Sequence, residues 1–124
     1  MQFVYAARAM VRRLPRNDRT RLVLEYMLQN AVGRANAQPW SNIKNHLNAY
    51  GISMSKTQFQ QTVLKKTRSG DIFIGSNDHG ARGYFLIRDR EDAEMAREFY
   101  TRRIAAEQAN LDHLNSLIQQ QRWR

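Results

Sequence analysis

Hydrophobic positions recur at helical spacing from the start of the chain: Phe3, Ala7, Met10 and Leu14 fall on one line, with Arg8, Arg12 and Arg13 off it. The spacing predicts an amphipathic helix over the first 14 residues of an N-terminal segment 1–16, broken by Pro15, with an extended strand as the alternative. Asn17 or Asp18 can cap a second helix reaching about Asn30, whose inward face is Val23, Met27 and Ala31, with Leu24 and Leu28 beside them. "GRANAQP", Gly33 to Pro39, is a loop.

Ile43 and Leu47 mark a short helix between Trp40 and Tyr50, which Gly51 ends because glycine accepts the left-handed conformation a helix terminus often needs. Ser55 and Gln58 have capping-box spacing, so another helix starts there and runs to about Arg68, with Phe59 and Val63 inward. Ser69-Gly70-Asp71 stops it. The period then changes to two in "DIFIG" and "GYFLI", joined by the turn-rich "SNDHGAR", which predicts a hairpin with Ile72 and Ile74 on one face and Tyr84 and Leu86 on the matching face of its partner. From Asp89, a cap, one long helix is expected over 89–124, since neither glycine nor proline occurs from residue 84 onward. Ile104, Leu111 and Ile118 stand seven apart, with Tyr100 and Leu114 at the intervening position, forming a heptad seam interrupted by Glu107 and closing on Gln121.

The order of helix, helix, tight turn, helix and hairpin over Asn17 to Ile87, carried by "NIKNHLNAYGIS", "SKTQFQQTVLKKTRSGDIFIG" and "GARGYFLI", resembles the winged helix-turn-helix superfamily, in the small form found in phages, plasmids and prokaryotic regulators. The resemblance implies a mainly α fold with a small β-hairpin wing over 17–88 and a long C-terminal helix over 89–124. It implies that Ser55 to Arg68 is a recognition helix for the DNA major groove and that Ser76 to Arg82 is the wing, lying along the backbone or minor groove. It also implies a strand between helices that pairs with the hairpin, and this sequence shows no obvious third strand; the "GRANAQP" loop between the first two core helices is long.

Charge sharpens the expectation. Twenty Lys and Arg against eleven Asp and Glu give a net charge of +9, which favours polyanionic partners. Residues 26–70 hold six basic residues and no acid, whereas seven of the eleven acids lie between Asp89 and Asp112. With Phe59 and Val63 inward, Lys56, Thr57, Gln58, Gln60, Gln61, Lys65, Lys66 and Arg68 form a carboxylate-free polar surface of groove-reading types. Gln can bond adenine at N6 and N7, the Thr methyl can meet that of thymine, and Lys or Arg can take guanine or phosphate. Thr57, Gln60 and Gln61 are the expected base readers, with Lys56, Lys65, Lys66 and Arg68 on phosphates. His79 and Arg82 in the hairpin loop can reach a minor groove or phosphate, and Lys44 and Arg34 can flank the groove. For Arg8, Arg12, Arg13 and Arg16 a solvated helix face serves as well, and Trp40 after Pro39 reads as packing.

The acids opening the last helix suit the positive end of its dipole and would be repelled by DNA, so that helix is expected on the far side. Its seam, Tyr100, Ile104, Leu111, Leu114 and Ile118, is expected to pair two copies into a homodimer with half-sites about one DNA turn apart. The alternative is that it folds back over Phe3, Met10 and Leu14. A basic face also suits a second role, binding an acidic protein such as a polymerase, nuclease or replication subunit.

Other chemistry finds little support. His46, His79 and His113 share no ligand spacing, "HGAR" lacks the further arginines and nucleophile of a recombinase, and no phosphate-binding glycine loop occurs. Neither enzyme activity nor a cofactor or metal is expected. The absence of cysteine fits a reducing cytoplasm, bacterial, archaeal or that of a phage-infected cell. No run reaches the roughly 20 apolar residues of a membrane span, and "MQFVYAARAMVRRL" carries its arginines after the apolar part, unlike a signal peptide.

Overall fold

A computed structural model describes residues 2–68, 72–78 and 82–121. His79 at the expected hairpin tip and the Ser69-Gly70-Asp71 helix stop lie outside the described residues. Helix α1, Gln2–Arg13, turns Val4, Ala7 and Met10 inward, with Phe3 and Leu14 partly covered. After Pro15 the chain reverses, and Asp18 starts α2, Arg19–Asn30, by accepting the Thr20 and Arg21 amides at 2.8 and 3.3 Å. The Arg21 guanidinium donates back to the Leu14 carbonyl at 2.7 Å, so the open carbonyl end of α1 is fastened to the first turn of α2.

Helix α3, Trp40–Ala49, buries Ile43 and Leu47 against α2. Gly51, at φ +75°, turns the chain so that the Ile52 amide reaches back to the Leu47 carbonyl at 3.0 Å. Helix α4 covers 56–68 in three stretches: α-helical Lys56–Phe59, π-helical Gln60–Leu64 and α-helical Lys65–Arg68. Phe59, Val63, Leu64 and Thr67 are its buried side chains.

The hairpin consists of β1, Ile74–Asn77, and β2, Gly83–Leu86, antiparallel with Ile74 opposite Leu86 and Asn77 opposite Gly83. Both faces are covered, which accounts for the unbroken apolar runs in "DIFIG" and "GYFLI". Ile72, Ile74, Tyr84 and Leu86 face the helices of the main core. Phe73, Phe85 and Ile87 face the other way, onto Ala93, Ala96 and Phe3. Alternation along a strand thus sends successive residues to two different apolar layers.

A third edge of this sheet comes from the chain between α2 and α3, Val32 and the "GRANAQP" loop, where the sequence pattern shows no strand. Val32 bridges Leu86 and Gln38 bridges Tyr84. Gln38 and Tyr84 exchange both backbone hydrogen bonds at 2.8 Å, while the Leu86 amide reaches the Ala31 carbonyl at 2.8 Å and the Gly33 amide reaches Leu86 at 2.9 Å. Between the two bridges the chain makes a 3-10 turn, Arg34–Asn36.

Helix α5, Arg90–Gln120, begins at Asp89, whose carboxylate accepts the Asp92 amide at 2.9 Å. That hydrogen bond, with the neighbouring Arg88 charge, holds the Asp89 carboxyl below the usual carboxylate range. Asp92 is buried and accepts the Arg88 and Arg34 amides at 3.0 and 3.4 Å, which pins the helix start to the sheet. Ala93 and Ala96 lie on the back of the hairpin, with Phe99 and Tyr100 half-buried just beyond, and every residue from Thr101 to Gln121 is exposed. At 1.5 Å per residue the free part extends about 30 Å from the body. The seam does not fold back on its own domain: it is the opening of α5, not Ile104, Leu111, Leu114 or Ile118, that packs near Phe3.

Candidate nucleic-acid interface

The surface of α4 is built from its first turn. Ser55 caps the helix: its hydroxyl accepts the Gln58 amide at 3.1 Å, and the Gln58 side chain accepts the Ser55 amide at 2.9 Å. Gln58, expected among the groove residues, therefore has its side-chain oxygen committed to the capping box. Phe59 is fully buried, with Trp40 and Tyr84 rings at 4.8 and 5.0 Å, so the apolar side of α4 is anchored in aromatic packing while Lys56, Thr57, Gln60, Gln61 and Lys65 stay exposed.

The π stretch sets which residues point outward. At about 100° per residue, an unbroken α-helix leaving Phe59 would bring residue 66 back to the buried line. A π turn takes up additional chain per turn, and here Thr67 points inward while Lys66 is exposed. The Thr62 hydroxyl donates to the Gln58 carbonyl at 2.6 Å, a local competitor for the α-helical ladder where the π stretch begins. Thr67, fully buried, satisfies its hydroxyl on the Leu64 carbonyl at 2.9 Å.

Several of the expected contact residues have partners inside the molecule. Gln60 donates to the Tyr84 hydroxyl at 3.3 Å, which ties the middle of α4 to β2. Lys66 lies 3.6 Å from the Asp18 carboxylate that caps α2. Arg68 is the most committed: it donates to the Tyr100 hydroxyl at 2.7 Å and the Ile74 carbonyl at 3.4 Å, with its guanidinium 4.7 Å from the centroid of Phe73. It fastens the end of α4 to the hairpin and α5. Lys44 is exposed on α3, and Arg34 pairs with Glu91 at 2.6 Å.

Between the first turn of α4 and the hairpin lies an open cleft of about 450 Å³. Lys56, Gln60, Arg82 and Tyr84 line it, with Trp40 at one side, and so do Phe99 and Arg103 of α5. This corrects the expectation that α5 would stand wholly on the far side. Its acidic start does pair away from α4, through Glu91 with Arg34 and Glu94 with Arg90. Two turns further on, however, the helix reaches the cleft beside α4 and presents a cation there. Nothing in the local sequence announces Phe99 or Arg103, because their place depends on how α5 crosses the sheet.

Elsewhere, the His46 ring lies between Tyr26 and Tyr50 at 4.8 and 5.2 Å, with Nε2 buried and lacking a hydrogen-bond partner, a packing role on α3. Among the described residues, no group of three or more His, Cys, Asp or Glu could hold a metal ion, and no helix is long and apolar enough to cross a membrane. Ile104, 68% exposed, with Leu111, Leu114, Leu117 and Ile118 leaves an apolar face uncovered along α5; Tyr100, expected in that seam, lies instead against Phe73 and Arg68. Comparison of the chain with protein-family models, with curated proteins and with solved structures finds no match.

Proposed function

We propose that this chain is a sequence-specific double-stranded DNA-binding protein of winged helix-turn-helix type, acting as a dimeric transcriptional regulator or a phage or plasmid accessory factor in the cytoplasm. The observation that carries the reading is the surface of α4: Thr57, Gln60, Gln61, Lys56 and Lys65 are exposed on one helix in a stretch without a carboxylate, beside a two-stranded hairpin. The pairing of Val32 and Gln38 with β2 adds support, because a segment between helices that pairs with the hairpin is what the resemblance asks for and what the sequence pattern lacked.

In this reading α4 enters the major groove. Gln61 and Thr57 read base edges, Gln60 reads with the remaining capacity of an amide already bonded to Tyr84, and Lys56 and Lys65 take flanking phosphates. A good bidentate contact discriminates a base by about 1–3 kcal/mol. Lys66 and Arg68 move from the phosphate set to an internal one, since each already has a partner. Arg82 approaches backbone from the hairpin. Two copies join through Ile104, Leu111, Leu114 and Ile118, a face whose exposure in a single chain is costly in water.

Selection of bound fragments from random duplex DNA, repeated with Gln61→Ala and Gln60→Ala, tests the assignment. A site preference that is lost at one or two positions in Gln61→Ala, with residual general binding, is the expected result. An unchanged preference would remove α4 from the role of reader. Capture of an acidic protein with no duplex binding at any salt would favour the interaction-module reading instead.

A further inference from the structure

The cleft beside α4 collects cations from three separate places: Lys56 from the first turn of α4, Arg82 from just before β2 and Arg103 from α5. Among the described residues none of these three side chains makes a hydrogen bond or ion pair. This contrasts with Arg21, Arg34, Arg88 and Arg90, each of which has a carboxylate partner within 3.3 Å. Among the described residues, Asp78 is the acid on the cleft wall, set against these three cations. Three cations facing one carboxylate leave an excess of positive charge, which raises the local concentration of anions. Neutral donors and rings, among them Gln60, Tyr84, Trp40 and Phe99, also line it.

We infer that this cleft holds a phosphodiester segment of the bound nucleic acid, and that α5 is one of its walls, with Arg103 as a phosphate contact beyond α4 and the hairpin. The inference rests on the DNA-binding reading and adds a contact that the sequence pattern placed on the far side. Arg103 lies three residues after Tyr100, whose hydroxyl accepts from Arg68 at 2.7 Å and whose ring meets Phe73. The base of α5 is thereby braced against both α4 and β1, so the guanidinium is delivered to the cleft by a fixed helix. The open, grooved shape and the mixture of cations with ring edges suit a sugar-phosphate strand better than a compact anion buried on all sides.

The test uses the full chain with two probes, a mixed-sequence DNA duplex and a dT oligonucleotide, each followed by fluorescence anisotropy over a salt series. Arg103→Ala should weaken duplex binding several-fold and reduce the slope of log affinity against log salt by about one. Arg103→Lys should restore the slope. Arg97→Ala, on the same helix but lining the apolar hollow with Phe3 and Ala93, should leave slope and affinity as they are. Sedimentation of each variant at matched concentration identifies any change in assembly. Equal behaviour of Arg103→Ala and Arg97→Ala would overturn the inference while leaving base reading by α4 intact. Binding of the dT oligonucleotide alone, dependent on Arg103, would keep the cleft and discard the major-groove reading. Binding of neither probe would discard both.

Discussion

Gly83 has φ +129°, a region that side chains with a Cβ rarely adopt, and a Cβ built there would collide with the Gln38 carbonyl. Both requirements come from one construction, the close approach of the Gln38 segment to β2. Gly83→Ala should therefore destabilise the fold by at least about 2 kcal/mol, from backbone strain and overpacking together, measured as a lowered denaturant midpoint. Gly75 works differently: its missing side chain makes room for the Phe85 ring, which would lie 2.8 Å from a Cβ at that position. The sequence showed both glycines on either side of the hairpin loop, but neither neighbour. A glycine reveals that something comes close without revealing what.

At the scale of elements, the legible part is the part encoded by side-chain period. Val23 and Met27 on α2 with Ala31 at its C-terminal cap, Ile43 and Leu47 on α3, Phe59 and Val63 on α4 and the alternation of the hairpin all sit where their spacing puts them. The third sheet edge was illegible because it is made by backbone groups at two separate bridges, with a 3-10 turn between them and no alternation to betray it. The π stretch of α4 was illegible for a related reason: Phe59 and Val63 fit either helix, and only the burial of Thr67 in place of Lys66 separates them. Arg68 shows how an element boundary redirects a functional assignment. By composition it is a phosphate ligand, but in the fold it is stacked on Phe73 and bonded to Tyr100. Arg68→Ala should lower stability by about 0.5–1 kcal/mol, the scale of an exposed cation–ring contact. It should change the salt slope of DNA binding less than Lys56→Ala does. A larger loss of slope for Arg68→Ala would return it to the interface.

For the whole molecule, layers explain where charge and apolar surface go. The hairpin is packed between the helices of the main core and the opening of α5, and that second layer leaves the acids around Asp89 paired with Arg34, Arg88 and Arg90. The heptad spacing of the seam could be read in the sequence, but its exposure could not, since a face that folds back and one that seeks a partner share the same spacing. Leu111→Glu and Leu114→Glu are expected to reduce the assembled mass in sedimentation. Unfolding of the body should stay within about 0.5 kcal/mol of the parent, as for surface substitutions generally. If the parent protein already sediments as a monomer, the seam belongs to a different partner.

Helix α5 passes from the back of the sheet into solvent as one uninterrupted Arg90–Gln120 segment, so the grip on the sheet and the protruding apolar stripe share a single torsional axis. There is no swivel between them. Two bodies mounted on paired rods of this kind would hold a fixed separation and a fixed mutual rotation, like keys cut on one shaft. One residue added just beyond Tyr100 would turn a body by about 100°, and seven would return it almost to its starting angle. In such a pair the rod would gauge both distance and phase, and its length, rather than its chemistry, would decide how far apart and at what angle the two bodies stand.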